Sequence, residues 1–309
     1  MPATQASVSV SPFSVLPDHF TVGFGANFAA LPVGVQVAFA IVFGLVIGSF
    51  LSVVAHRLPI MLERAWREEV SDTIDQPLED DGLRARYNLW LPRSACPHCG
   101  HVLRAWENIP VLSYLILRGR CAECKTHVSA RYLLLEIASA ACAVGTLVLF
   151  GPTLTALAAF GLCAALLAMS AIDIETHLLP DSLTLPLLWA GLIVNFGGMF
   201  ASLHNAVAGA IAGYLVLWIV HWIFKLVRGV EGMGYGDFKL LAALGAWLGW
   251  AALPQIVLIA AVAGAVVGLA ATWRGRMRFE EPLPFGPFLA AGGAVTLFLG
   301  TPLYLALGG

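Results

Sequence analysis

Charge is scarce in this sequence: acidic and basic side chains make up 12% of 309 residues, against roughly a quarter in an ordinary water-soluble domain. Hydrophobic residues reach 59%, more apolar surface than one soluble core can hide, so a water-soluble globule is excluded. The net charge of −2 lacks the basic excess that nucleic acid demands and offers no bias towards an acidic partner. Some 30 residues ahead of the first long apolar run hold no Lys or Arg. That run therefore lacks the positive flank of a cleavable signal and reads as a retained span, with the N-terminal segment 1–34 outside.

Apolar runs near the ~20 residues that cross a hydrocarbon core of ~30 Å recur along the chain. There are eight: about Val35 to Ala55, Leu133 to Phe150, Leu154 to Ile172, Leu183 to Phe200, Ala206 to Phe224, Phe238 to Trp250, Ile256 to Thr272 and Phe288 to Leu307. The expected fold class is an all-α polytopic membrane protein of about eight transmembrane helices. Its parts are the first span, a loop domain over 56–132 and a seven-helix membrane domain over 133–309. Crossing eight times from outside puts all 17 Lys and Arg residues in the segments facing inward. That is the asymmetry expected of cytoplasmic loops, and it points both termini to the periplasm.

The 56–132 segment holds Cys96-Pro97-His98-Cys99 and, after 21 intervening residues, Cys121-Ala122-Glu123-Cys124. Two CxxC knuckles supply four thiolates at tetrahedral reach, which reads as a closed structural zinc site with no position left for a reactive water. A redox pair or unmetallated thiols is the other reading; disulfides are disfavoured in a reducing cytoplasm. His98, His101 and His127 are spare donors close by. Cys142 and Cys163 lie inside apolar runs as small core residues.

Ionisable groups at a span are costly and so are functional candidates. Asp173 ends the third span, where the helix dipole disfavours an anion. Asp237 opens the sixth, behind Gly232, Gly234 and Gly236, which would let a substrate strand or a second carboxylate approach. Asp181 follows Pro180 ahead of an apolar run and suits a helix N-cap. The topology places all three on one face, so Asp173 and Asp237, 64 positions apart, can share a site. Two carboxylates at ~3 Å cannot both ionise. The ionised one would take a proton from water while its protonated partner donates to the scissile carbonyl. Ser170 and His177 are close in sequence but carry no nucleophile-elbow pattern.

These residues resemble a known family, the bifunctional type IV prepilin peptidases, GxGD-type intramembrane aspartyl proteases. The likeness covers nearly all of the chain after about residue 35. It rests on Gly48-Ser49-Phe50-Leu51, His56-Arg57-Leu58-Pro59, the two knuckles with Trp106-Glu107-Asn108-Ile109-Pro110 between them, Ile172-Asp173 with Leu179-Pro180-Asp181, Gly232 to Lys239, and Pro284-Phe285-Gly286-Pro287. The resemblance implies an enzyme of the bacterial inner membrane that serves type IV pili and type II secretion. It implies cleavage of the basic leader of prepilins or pseudopilins on the cytoplasmic side, then methylation of the new N-terminus from S-adenosylmethionine. It makes Asp173 and Asp237 the catalytic pair, and it associates Gly232, Gly234, Gly236, Lys239 and Asp181 with the approach of substrate. Glu63, Arg64, Trp106, Glu107 and Asn108 are the methyl-donor candidates, with a solvated loop face as the plainer reading. The acidic stretch from Glu68 to Asp81 could attract a basic leader. Rival readings are an ion-coupled transporter, disfavoured because no carboxylate is mid-span, and a zinc-bearing secretion scaffold, which leaves the aspartates unexplained.

Overall fold

The computed structural model describes residues 24–74, 87–229, 233–275 and 283–300. Within them the chain is almost wholly helical: α1 (Phe24–Ala29), α2 (Val33–Ile74), α3 (Leu112–Ile116), α4 (Ala130–Phe150), α5 (Leu154–Thr176), α6 (Asp181–Phe196), α7 (Leu203–Arg228), α8 (Tyr235–Leu248), α9 (Leu253–Trp273) and α10 (Gly286–Leu299). Among the described residues there is no strand, only isolated antiparallel bridges at Ala95–Val102 and Arg120–His127. Five helices, α2, α4, α5, α7 and α9, are long and apolar enough to cross a membrane, and α6 and α10 are shorter apolar helices.

Each expected run carries one helix. Helix starts follow from hydroxyl caps: Thr153 accepts the Ala156 N–H at 3.3 Å and Ser202 accepts that of Asn205 at 3.3 Å, which satisfies N–H groups the first turn leaves orphaned. Glycines follow the last turns of α4, α6, α7 and α8. The largest departure from expectation is in α2, which runs on past Ala55 and through Pro59 to Ile74. Hydropathy stops at the polar boundary, but a helix with Glu63 and Arg67 ion-paired one turn apart at 2.5 Å has no reason to. The loop domain thus begins as an extension of the first helix.

Helices α2 and α4 are antiparallel and very close. A Cβ on Gly44 would stand 2.5 Å from Ala140 Cα, and one on Gly48 2.6 Å from Glu136 Cα, the small-residue contact by which helices associate where lipid gives no hydrophobic drive. At the centre lies α8, with Phe238 and every residue from Leu240 to Trp247 buried. A helix apolar on all sides belongs in an interior. It is enclosed by α6, α7, α9 and α10, so its 14 residues, roughly 21 Å, need not match the bilayer thickness. Asn195 fastens one end of this core: its amide donates to the carbonyls of Ala246 and Trp247, both at 2.8 Å, and accepts from the N–H groups of Phe200 and Ala201.

Candidate functional site

Asp173 lies in the last turn of α5 and Asp237 in the first turn of α8, and both are buried. Both sit beside Leu179, against which the Gly286 that touches Asp173 and the Gly236 that precedes Asp237 are packed. Asp173 finds the partner its place at a helix C-terminus called for: Oδ2 accepts the N–H of Gly286 at 3.0 Å, the first residue of α10. The positive end of the α10 dipole is thereby turned on a carboxylate that the negative end of α5 repels. A Cβ on Gly286 would sit 2.6 Å from Asp173 Oδ2, so this position must be bare.

Leu179 is the wedge between these helices. A Cβ on Gly236 would stand 2.6 Å from Leu179 Cβ, and one on Gly286 3.1 Å from Leu179 Cδ1. The glycine before Asp237 therefore lets the 177–180 turn, which leaves α5 at left-handed His177 (φ 54°), lie flat against α8. Gly234 holds the cap position of α8 and accepts the Asp237 N–H at 3.2 Å. Gly232 lies outside the described residues, as do the segment 1–23, positions 75–81 of the acidic stretch and the end of the last span.

Asp181 is not a helix cap. Pro180 occupies that position and Asp181 is the first residue of α6; its carboxylate instead receives Lys239 Nζ at 2.6 and 2.7 Å. Asp181 is separated from Lys239 by 58 positions, so local sequence favoured the cap. The pair clamps the start of α6 to the first turn of α8, beside the aspartates.

The four knuckle thiols form one cluster with all ligand atoms within 4.8 Å of one another. Cys96 and Cys124 Sγ are 3.7 Å apart, and Cys99 and Cys121 Sγ 3.9 Å. Thiolates ~2.3 Å from a tetrahedral ion stand roughly 3.8 Å apart, so the cluster fits zinc. Both knuckles fold alike: Cys96 N–H donates to His101 C=O and Cys121 N–H to Thr126 C=O, each at 2.9 Å. The left-handed position in each turn is Gly100 (φ 71°) in one and Lys125 (φ 59°) in the other. Hydrogen bonding with Thr126, whose Oγ1 lies 3.3 Å from Cys124 Sγ, pulls the Cys124 thiol down to about 6, while Cys99 in the same cluster is pushed up to about 12.

His101 is no ligand. Its Nε2 lies 3.0 Å from Glu107 and its Nδ1 2.8 Å from Glu123. The Arg104 N–H, 2.9 Å from Glu107, and then the His101 ring hold the Glu107 carboxyl below its ordinary value. Glu107 is therefore buried and engaged as a structural bracket. Trp106 and Asn108 are exposed beside it. Glu63 is paired with Arg67 and the Arg64 guanidinium stacks 4.3 Å over Tyr87. Among the described residues no hydrogen bond or ion pair joins Glu63 or Arg64 to the Trp106–Asn108 group.

Two fastenings of the module escaped the sequence reading. Buried Arg57 on α2 donates to the carbonyls of Asn88 and Pro92 at 2.9 and 2.7 Å. Buried Glu136 on α4 accepts the Val111 N–H at 2.7 Å. Val111 has φ 58°, a strained angle for a β-branched residue, and the carboxylate holds it. A polar residue in an apolar run was the only signal available for Glu136. Arg131, at the start of α4, pairs with Glu175 near the end of α5 at 2.8 Å. The cysteine module and the aspartates therefore share one end of the bundle.

Comparison with known proteins gives two family matches: the bacterial peptidase A24 N-terminal domain over residues 42–150 and the type IV leader peptidase family over residues 160–269. The chain is 71% identical over 306 residues to a prepilin leader peptidase/N-methyltransferase of Burkholderia pseudomallei strain K96243, covering 98% of this chain and 99% of that protein. Proteins of the same name from Stutzerimonas stutzeri and Pseudomonas aeruginosa are 52% identical over 261 residues (84% and 90% covered) and 50% identical over 272 residues (87% and 93% covered). No solved structure matches the chain.

Proposed function

Because this chain belongs to the type IV leader peptidase family, we propose that it is a membrane aspartyl endopeptidase that removes the basic leader of prepilins or pseudopilins and then N-methylates the new N-terminal residue. The observation that carries the reading is that two buried carboxyls, Asp173 and Asp237, 64 positions apart in sequence, are brought to one end of the bundle beside Leu179. A pair sharing one proton divides the hydrolysis: the ionised carboxylate accepts a proton from the attacking water, and the protonated one donates to the scissile carbonyl and then to the leaving amine. In this reading the Gly286 N–H steadies the charge on Asp173, and the bare surface at Gly234 and Gly236 admits an extended substrate strand. Lys239 and Asp181 hold the rim of that approach.

The charge asymmetry of the loops supports a position of this end of the bundle at the cytoplasmic face of a bacterial inner membrane. Cys96, Cys99, Cys121 and Cys124 would hold a zinc ion that crosslinks the module, and four thiolates leave it no open position for chemistry. S-adenosylmethionine would supply the methyl group, with Glu63, Arg64, Trp106, Glu107 and Asn108 as the candidate residues for its site.

The test is cleavage of a prepilin peptide by purified Asp173→Asn and Asp237→Asn protein, with methylation of a pre-cleaved peptide read in parallel. Loss of a general acid or base predicts cleavage slower by about 100- to 10,000-fold, with the melting transition and methyl transfer retained. Cleavage at the original rate in either variant would remove the pair from the chemistry and favour a carrier or scaffold role.

A further inference from the structure

The cysteine module exposes apolar side chains where a water-facing domain should not. On α3, Leu115 and Ile116 are 62% and 61% exposed, and in the segment entering the first knuckle Trp90 is 79% exposed. Leu91 and Leu112 are exposed beside them. Apolar area left in water forgoes about 25 cal/mol per Å², and clustered exposure of this kind marks an interaction surface.

Two contacts fix the height of these residues against the membrane helices. Val111, immediately before α3, gives its N–H to Glu136. Glu136 stands six residues into α4, about 9 Å along its axis, within the apolar run that begins near Leu133. Trp90 lies 6.4 Å, ring to ring, from Phe50, an exposed residue inside the apolar run of α2. The near contact of Gly48 with Glu136 Cα puts these two stretches side by side. The segment leading into α3 is thus anchored at buried Glu136 and the Trp90 tip against exposed Phe50, both within the apolar runs of the membrane helices.

The sequence repeats the same arrangement at each tip: Trp90-Leu91-Pro92-Arg93 and Leu115-Ile116-Leu117-Arg118, an exposed apolar pair with an exposed arginine two positions on. Apolar side chains beside cations are the composition of a surface that lies in the headgroup boundary, and basic residues near an anionic leaflet are drawn to it. The geometry points to a lipid-contact rim on the cysteine module, in which Trp90, Leu91, Leu112, Leu115 and Ile116 enter the bilayer interface and Arg93 and Arg118 meet anionic headgroups. The module is seated in the membrane surface and does not hang free in the cytosol. This goes beyond the peptidase reading and is independent of the aspartates.

Photocrosslinking of the full chain in nanodiscs of phosphatidylethanolamine and phosphatidylglycerol tests it. Benzoylphenylalanine replaces Leu115, Ile116 or Trp90 in turn, with lipid-facing Val148 on α4 and exposed Lys125 on the second knuckle as the high and low references. Bound metal content checks that each variant keeps its module. The expected result is lipid adducts at Leu115, Ile116 and Trp90 in yields near that of Val148 and several-fold above that of Lys125. Yields no higher than at Lys125 would overturn the rim, as would adducts joining two copies of the chain in place of lipid, which would make the surface a dimer interface.

Discussion

A single backbone N–H decides how Asp173 lives at the wrong end of a helix. Its bond from Gly286 exists because the α10 start approaches so closely that a methyl group there would press on the carboxylate at 2.6 Å. Gly286→Ala must push Asp173 or α10 aside, and a displacement on the order of 1 Å in a catalytic constellation costs around a hundredfold in rate. The expected outcome is cleavage slower by about that factor, with kcat falling more than KM rises and methylation of a pre-cleaved peptide unaffected; a peptide cleavage assay under saturating substrate reads it. None of this was visible from the Gly286 locality, because the donor and acceptor are 113 positions apart. Asp173 and Asp237 were legible for the opposite reason: a carboxylate at the edge of an apolar run is conspicuous in any sequence, and three alternate glycines before one of them more so. Asp181 was equally conspicuous and its local reading as a cap was wrong, since Lys239 offers its carboxylate a charged partner that no turn of sequence displays.

At the scale of helices, hydropathy gave the number and order of the apolar elements, because each must bury or expose apolar surface whatever its neighbours are. It did not give the reach of α2, where helix-favouring charged residues continue the rod beyond the lipid, nor the central place of α8, which depends on what surrounds it. Asn195 makes that dependence measurable. Its amide is fully buried and engaged on all sides, with the ends of α6 and α8 joined through it. Asn195→Ala leaves two carbonyls and two N–H groups to find other partners. Membrane hydrogen bonds average about 0.6 kcal/mol each, so a loss of roughly 2 kcal/mol follows. Resistance of the purified protein to unfolding in an SDS titration should fall by that amount, while an exposed polar substitution such as Asn108→Ala leaves it unchanged.

For the molecule as a whole, the cysteine module and the peptidase bundle share one end yet are held together by different means. The module depends on four thiols, and apparent zinc binding in small modules of this kind is on the order of 10 kcal/mol, most of the free energy that folds them. The bundle depends on the apolar core around α8, where Phe238, Leu241, Leu244, Ile256 and Leu289 are buried without any contribution from the four knuckle cysteines. Besides the Trp90–Phe50 contact and the run-on of α2, buried Arg57 on α2 and Glu136 on α4 link the two. Stripping the metal with a chelator, or Cys96→Ser, should therefore unfold the module without unfolding the bundle: protease nicking between residues 87 and 129 rises sharply, and the main thermal transition stays in place. Leader cleavage should persist with its pH profile unmoved, while methyl transfer, whose candidate residues Trp106, Glu107 and Asn108 lie between the knuckles, is lost. A shift of the cleavage profile on chelation would put the metal in the peptidase chemistry, and an unfolded bundle would make the module part of one core.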